Sequence, residues 1–207
     1  MQLTDVTLSY GNKVVASGIN ATLAPGRIVC LVGRNGAGKS TLIRYMASLG
    51  SQGEVAIVLT DRIDVDNMTA RMLVGMGRMP YTGFFGRLSA KDHEIVDDAM
   101  QMLGISDLAD REVTTLSDGE RQKVMIAKAL AQQTPCILLD EPTAFLDYPT
   151  KVETMRMLQR LSHEEGKAIL ISTHDLDTAL RHCDEVWEMA GGTMRVVRPE
   201  EFIVYSS

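Results

Sequence analysis

The stretch Gly33-Arg34-Asn35-Gly36-Ala37-Gly38-Lys39-Ser40 constrains this chain more than any other. It matches G-x-x-x-x-G-K-[ST] at every required position, a pattern that average residue usage would produce in under about 1% of chains this long. Glycines there let backbone N–H groups turn inward around phosphates, and a following helix presents its positive N-terminus to them. Lys39 is expected to reach the β and γ phosphates, and the Ser40 hydroxyl to ligate Mg²⁺. The flanks agree. Ile28–Val32 is an apolar run too short for a helix and reads as a buried strand, while Leu42, Ile43, Met46 and Leu49 repeat at helical spacing.

A site for a nucleoside triphosphate also needs a carboxylate at the end of a strand, and Cys136-Ile-Leu-Leu-Asp140-Glu141 offers one. Asp140 is placed to hold Mg²⁺ through water and Glu141 to polarise an attacking water. The plainer alternative for this pair is a solvated acidic loop after a strand.

The remaining chain reads as alternating elements. Residues 3–32 suggest short strands with turns at Gly11-Asn12 and Pro25-Gly26. Helices are expected from Ser89, from the capping box Ser117/Glu120, over Thr150–Leu161 and over Asp175–His182; further strands are expected at Ala168–Ser172, Val186–Met189 and Met194–Val197. Such alternation predicts an α/β fold with a parallel-sheet core, interrupted by a helical insertion over about 89–133. Residues 1–88 and 134–207 then form the nucleotide-binding core of a single domain.

Composition narrows the partners. The 207 residues carry a formal charge of −6, which speaks against nucleic acid unless Lys and Arg cluster on one face. The apolar runs are far short of a membrane-crossing helix, and the N-terminus does not read as a secretory signal. Three cysteines, Cys30, Cys136 and Cys183, form no CxxC pair and are expected to be reduced thiols.

At this point the motifs resemble those of the ATP-binding subunits of ABC transporters. Leu116-Ser117-Asp118-Gly119-Glu120-Arg121-Gln122 is similar to that family's signature, Phe145-Leu146-Asp147 to its D-loop, and Ser172-Thr173-His174-Asp175 to its switch-histidine segment. Tyr10 stands where the family stacks an aromatic ring on adenine; simple hairpin packing is the alternative. The resemblance implies a P-loop NTPase core with an N-terminal antiparallel β-subdomain and an inserted helical subdomain. It implies ATP and Mg²⁺ as cofactors, bound through Tyr10, Gly33, Asn35, Gly36, Ala37, Gly38, Lys39, Ser40 and Thr41. Ser117, Gly119, Glu120 and Asp147 belong to the same set, in a head-to-tail homodimer sandwiching two ATP molecules. Catalysis falls to Glu141, His174 and Lys39, and metal binding to Ser40, Asp140 and Asp61. The implied partners are an integral membrane permease and, through it, a substrate-binding protein, with the ATPase on the cytoplasmic face of the cell's inner membrane.

Gly77-Arg-Met-Pro80-Tyr and Gly86-Arg-Leu-Ser89-Ala-Lys-Asp92, the Leu108–Arg111 stretch and the tail from Trp187 resemble the branch importing iron–siderophore complexes, haem and cobalamin. An exporter motor, or a soluble ABC ATPase acting on protein partners, are the other readings. Three departures stand out. Asp118 replaces a usual glycine, Asp61 stands in place of the Q-loop glutamine, and Lys39 to Asp61 is a short span, by deletion or by missing residues. Whether Asp118 weakens the helix terminus depends on where its carboxylate points.

Overall fold

The computed structural model describes residues 1–51, 53–59, 66–83 and 86–202. Strands β1 (Gln2–Tyr10) and β2 (Lys13–Thr22) form an antiparallel hairpin turning at Gly11-Asn12. They are longer than the short strands expected. β3 (Ile28–Gly33) follows and feeds α1 (Lys39–Leu49) through the glycine-rich loop. In α1, Leu42, Ile43 and Met46 are buried as their spacing predicts, whereas Leu49 is exposed.

β4 (Val55–Val58) and α2 (Ala70–Gly75) come next, neither of them anticipated from the sequence. α2 runs into a 3₁₀ segment, Met76–Tyr81. α3 (Ala90–Met102) starts at a capping box in which Ser89 Oγ accepts from Asp92 N–H and Asp92 accepts from Ser89 N–H. α4 (Asp118–Ala131) starts the same way at Ser117. β5 (Cys136–Asp140), α5 (Tyr148–His163), β6 (Ala168–Ser172), α6 (Leu176–Leu180), β7 (Glu185–Ala190) and β8 (Thr193–Val197) complete the order.

The six-stranded sheet has the order β4-β5-β6-β3-β7-β8, parallel except for the edge pair β7–β8. It is the α/β architecture that the alternation predicts. β3, β5 and β6 lie in its middle and are buried on both faces, which is why they read as unbroken apolar runs. Alternate residues face opposite cores. Ile137 and Leu139 point to a cluster with Val96, Val124, Ala127 and Leu158, where α2, α3, α4 and α5 pack. Cys136 and Leu138 point to a second cluster with Leu3, Leu8, Leu42, Ile43 and the fully buried Trp187, where α1 and the hairpin cover the sheet. Among the described residues, no helix is long and apolar enough to cross a membrane.

The 3₁₀ segment is clamped to the end of α4. A Cβ on Gly77 would meet the Lys128 carbonyl at 2.3 Å. The buried Arg78 donates to Asp92 (2.9 Å) and to the Ala131 carbonyl (2.8 Å). Tyr81 donates to the Gln132 carbonyl at 2.7 Å. Two carbonyls left unpaired by the last turn of α4 thereby gain partners.

Candidate active site

β3 delivers the loop. Its last residue, Gly33, pairs in register with Met189 of β7, and a Cβ there would stand 2.5 Å from the Met189 carbonyl oxygen. Only glycine fits so close a backbone approach. The loop then folds on itself. Ala37 N–H donates to the Arg34 carbonyl (3.0 Å), and Lys39 Nζ donates to the Gly33 carbonyl (2.8 Å) and reaches that of Arg34 (3.5 Å). Lys39 is 9% exposed, so its charge is held over the loop instead of being solvated. Gly38 caps α1 in a left-handed conformation, and the first turn of α1 carries no acidic side chain, leaving its dipole unopposed.

Tyr10, Asn35, Gly36, Gly38, Lys39, Ser40, Thr41, Asp140 and Glu141 line one cleft of about 600 Å³, with Lys13, Val14 and Val15 of the hairpin. Gly33 and Ala37 lie on the other side of the loop, against Met189 and Gly191. Tyr10 is 78% exposed, its ring free of the core. Asp61 lies outside the described residues.

The acidic half of the cleft is organised by Ser172, which sequence reasoning did not assign. Its hydroxyl donates to the buried Asp140 carboxylate (2.5 Å) and accepts from Glu141 N–H (3.0 Å). Glu141 N–H also reaches the Ser172 carbonyl (3.1 Å). Glu141 has φ of 50°, uncommon for a residue with a side chain. Its Oε2 lies 2.8 Å from His174 Nδ1, although the two are 33 positions apart. The Glu141 side chain is 18% exposed and that of His174 68%. Hard oxygen donors, the Ser40 hydroxyl and the Asp140 carboxylate, border the same cleft, a donor set that fits Mg²⁺.

Ser117, Gly119, Glu120 and Asp147 do not line this cleft. Glu120 accepts from Ser117 N–H and Oγ (each 2.8 Å) and pairs with Arg111 (2.9 Å). The Ser117 N–H, then its hydroxyl, and then Arg111 hold the Glu120 carboxyl below its ordinary value. Arg111 also braces the Thr115 carbonyl (3.0 Å), a role with no motif to announce it. Asp118 pairs with Arg121 one turn along its own helix (3.3 Å), so its charge is partly compensated. A Cβ on Gly119 would lie 3.1 Å from the Phe145 carbonyl, which seats the start of α4 on the Phe145-Leu146 segment. Asp147 caps α5 by accepting from Thr150 N–H (2.9 Å), with the exposed Phe145 and Tyr148 on either side. The Thr150 hydroxyl and N–H hold its carboxyl below the usual range.

Residues 16–144 match the sequence profile of the ABC transporter family. An uncharacterized ABC transporter ATP-binding protein of Methanocaldococcus jannaschii is 38% identical over 90% of this chain and 71% of its own length. The iron(3+)-hydroxamate import ATP-binding protein of Bacillus subtilis is 34% identical, with 90% of this chain and 77% of that protein covered. The cobalamin import ATP-binding protein of Halobacterium salinarum is 36% identical over 93% of this chain, which spans 53% of that relative. Among solved structures, a chain of a transporter described as metal-chelate type superposes with a TM-score of 0.88 at 24% identity, covering 98% of this chain and 84% of that one. A dimeric bacterial ABC transporter cassette gives 0.85 at 24% identity, covering 97% and 99%. With the phosphate loop and the acidic strand end meeting in one cleft, and a family profile matched over more than half its length, this chain belongs to the ABC transporter family.

Proposed function

We propose that this chain is the ATP-binding and ATP-hydrolysing subunit of an importer for metal chelates of the siderophore, haem or cobalamin type. The observation that carries the hydrolytic part is Glu141, which lines the cleft with Lys39, Ser40 and Asp140 and lies 2.8 Å from His174 Nδ1. The names of the relatives, an iron(3+)-hydroxamate importer and a cobalamin importer, support the substrate class.

Each residue has a defined task in this reading. The loop N–H groups and the N-terminus of α1 hold the phosphates, and Lys39 turns its ammonium from the Gly33 carbonyl to the terminal phosphoryl oxygens. Ser40 and Asp140 hold Mg²⁺, which when bound neutralises phosphate charge; Asp61 is proposed as a further ligand on sequence grounds alone. Glu141 orients and polarises the attacking water. His174 Nδ1 fixes the Glu141 carboxylate, leaving Nε2 to face the terminal phosphate. Tyr10 offers its exposed ring to the adenine.

Because Ser117 and Gly119 stand outside the cleft, one copy does not complete the site. A second copy, docked head to tail, supplies the N-terminus of α4 to the terminal phosphate, with Asp147 at the seam. Glu120 acts through Ser117, holding that cap in place. Residues 1–88 and 134–207 serve in this reading as the nucleotide-binding core, and about 89–133 as the helical subdomain that carries Ser117 and Gly119 to the partner copy. A separate permease, a substrate-binding protein beyond it, and a position on the cytoplasmic face of the membrane complete the assembly.

The test is Glu141→Gln. Phosphate release is expected to fall by about 100-fold or more, in line with the usual weight of general-base assistance, while ATP binding persists. Turnover at the wild-type rate would overturn the mechanism. Affinity purification from gently solubilised native membranes tests the transport half, with a multi-spanning permease expected in stoichiometric amount.

A further inference from the structure

The histidine segment carries an anchor that none of the motifs includes. Lys151, in the first turns of α5, donates from Nζ to Asp175 Oδ2 at 3.1 Å. Both side chains are largely shielded, at 20% and 24% exposure, so the pair is screened less than a surface contact. Asp175 directly follows His174. Its other oxygen caps α6 by accepting from Thr178 N–H (3.3 Å), and its own N–H donates to Thr173 Oγ1 (3.0 Å). Burial pushes the Asp175 carboxyl up, and the Lys151 ammonium with the Thr178 N–H more than offsets it, leaving the carboxyl below its ordinary value.

His174 is therefore flanked by two fixed points. Before it, Thr173 N–H is tied to the Leu31 carbonyl of β3 (3.3 Å). After it, Asp175 is tied to α5 through Lys151. The imidazole itself is mostly exposed, and its contact with Glu141 depends on where these two points hold the backbone. At the other end of the bridge, Lys151 N–H donates to the carbonyl of Asp147, the cap of α5 (2.9 Å). A continuous run of contacts thus leads from the Phe145–Asp147 segment through Lys151 and Asp175 to His174 and Glu141.

We infer that Lys151 is a positioning residue for ATP hydrolysis, holding His174 in register with Glu141 through Asp175 and linking that register to the Asp147 segment. The inference rests on the hydrolytic role proposed above for Glu141 and His174. Lys151 touches neither nucleotide nor water in it. Its effect falls on the catalytic step and leaves nucleotide binding alone, because Lys151 does not line the cleft.

The test compares Lys151→Met, which keeps the aliphatic stem, with Lys151→Arg, which keeps the charge, in the full-length protein. Lys151→Met is expected to lower kcat about tenfold, the scale of a sub-ångström misplacement of a catalytic group, with KM for ATP within about twofold. Lys151→Arg restores most of the rate. The chain has four histidines, so histidine-selective NMR resolves the site, the His174 signal being assigned by its loss in His174→Ala. That signal is expected to shift in Lys151→Met and return in Lys151→Arg, while that of His93, on α3, stays put. An unmoved His174 signal, or an unchanged kcat, overturns the inference. The reading it rests on fails separately, if Glu141→Gln and His174→Ala leave turnover at the wild-type level.

Discussion

Replacing Gly33 by alanine puts a methyl carbon 2.5 Å from the Met189 carbonyl oxygen and 3.3 Å from the Ala37 and Met189 Cβ atoms. An ordinary carbon–oxygen approach is about 3.3 Å, so the added atom intrudes by about 0.8 Å on the backbone of β7, a strand paired on both sides, which has no rotamer with which to yield. Overpacking of that kind costs about 1–3 kcal/mol, and holding a side-chain-bearing residue at φ of 155° costs about 1–3 kcal/mol more. For 207 residues, an unfolding entropy of about 2.1 cal/mol/K per residue makes each kcal/mol worth about 2.3 °C, so Tm falls by about 5–14 °C. Gly36→Ala is the internal control. Its φ is 79°, but the methyl meets nothing within 4 Å, so only left-handed strain of about 1–2 kcal/mol remains, or about 2–5 °C. Scanning calorimetry of the two variants and the parent, without nucleotide, gives the three midpoints. A Gly33→Ala protein melting within 2 °C of the parent, or no lower than Gly36→Ala, would show that the close approach to β7 is not what demands glycine at 33.

Two more predictions concern titration and thiols. Ser89, through its hydroxyl and then its N–H, and Arg78 after them, hold the Asp92 carboxyl down at about 2 against 3.8 in the unfolded chain. A depressed carboxyl stabilises the fold above pH 3.8 and loses that contribution as pH falls from there toward 2, so the urea midpoint is expected to drop across this window in the parent and less in Asp92→Asn. Burial pushes the Cys136 thiol up to about 11, and Cys183 with burial pushes that of Cys30 well above its ordinary value. A maleimide at pH 7.5 is expected to modify only the half-buried Cys183 before denaturation and all three after, as counted by intact mass; rapid modification of Cys136 would refute this.

Local chemistry made much of this protein legible in advance. The glycine loop, the apolar runs of β3, β5 and β6, and the Ser-x-x-Glu cap of α4 each depend on residues within a few positions of one another, so pattern alone reveals them. β4 escaped because four residues at a sheet edge carry little period, and α2 because six residues are under two turns. Asp175–His182 reads as longer than α6 proves to be, since its end gives way to the turn leading into β7.

Sequence by itself determined the phosphate loop, the acidic strand end and the alternation that makes a parallel sheet, because each is written in neighbouring residues. Tertiary structure alone decided that Glu141 meets His174, that Ser172 organises both Asp140 and Glu141, that Gly33 answers to Met189, and that Lys151 reaches Asp175. Those pairs are separated by 24 to 156 positions along the chain. Only the stacking of β5, β6, β3 and β7 side by side, with α5 laid against them, brings them within hydrogen-bond reach.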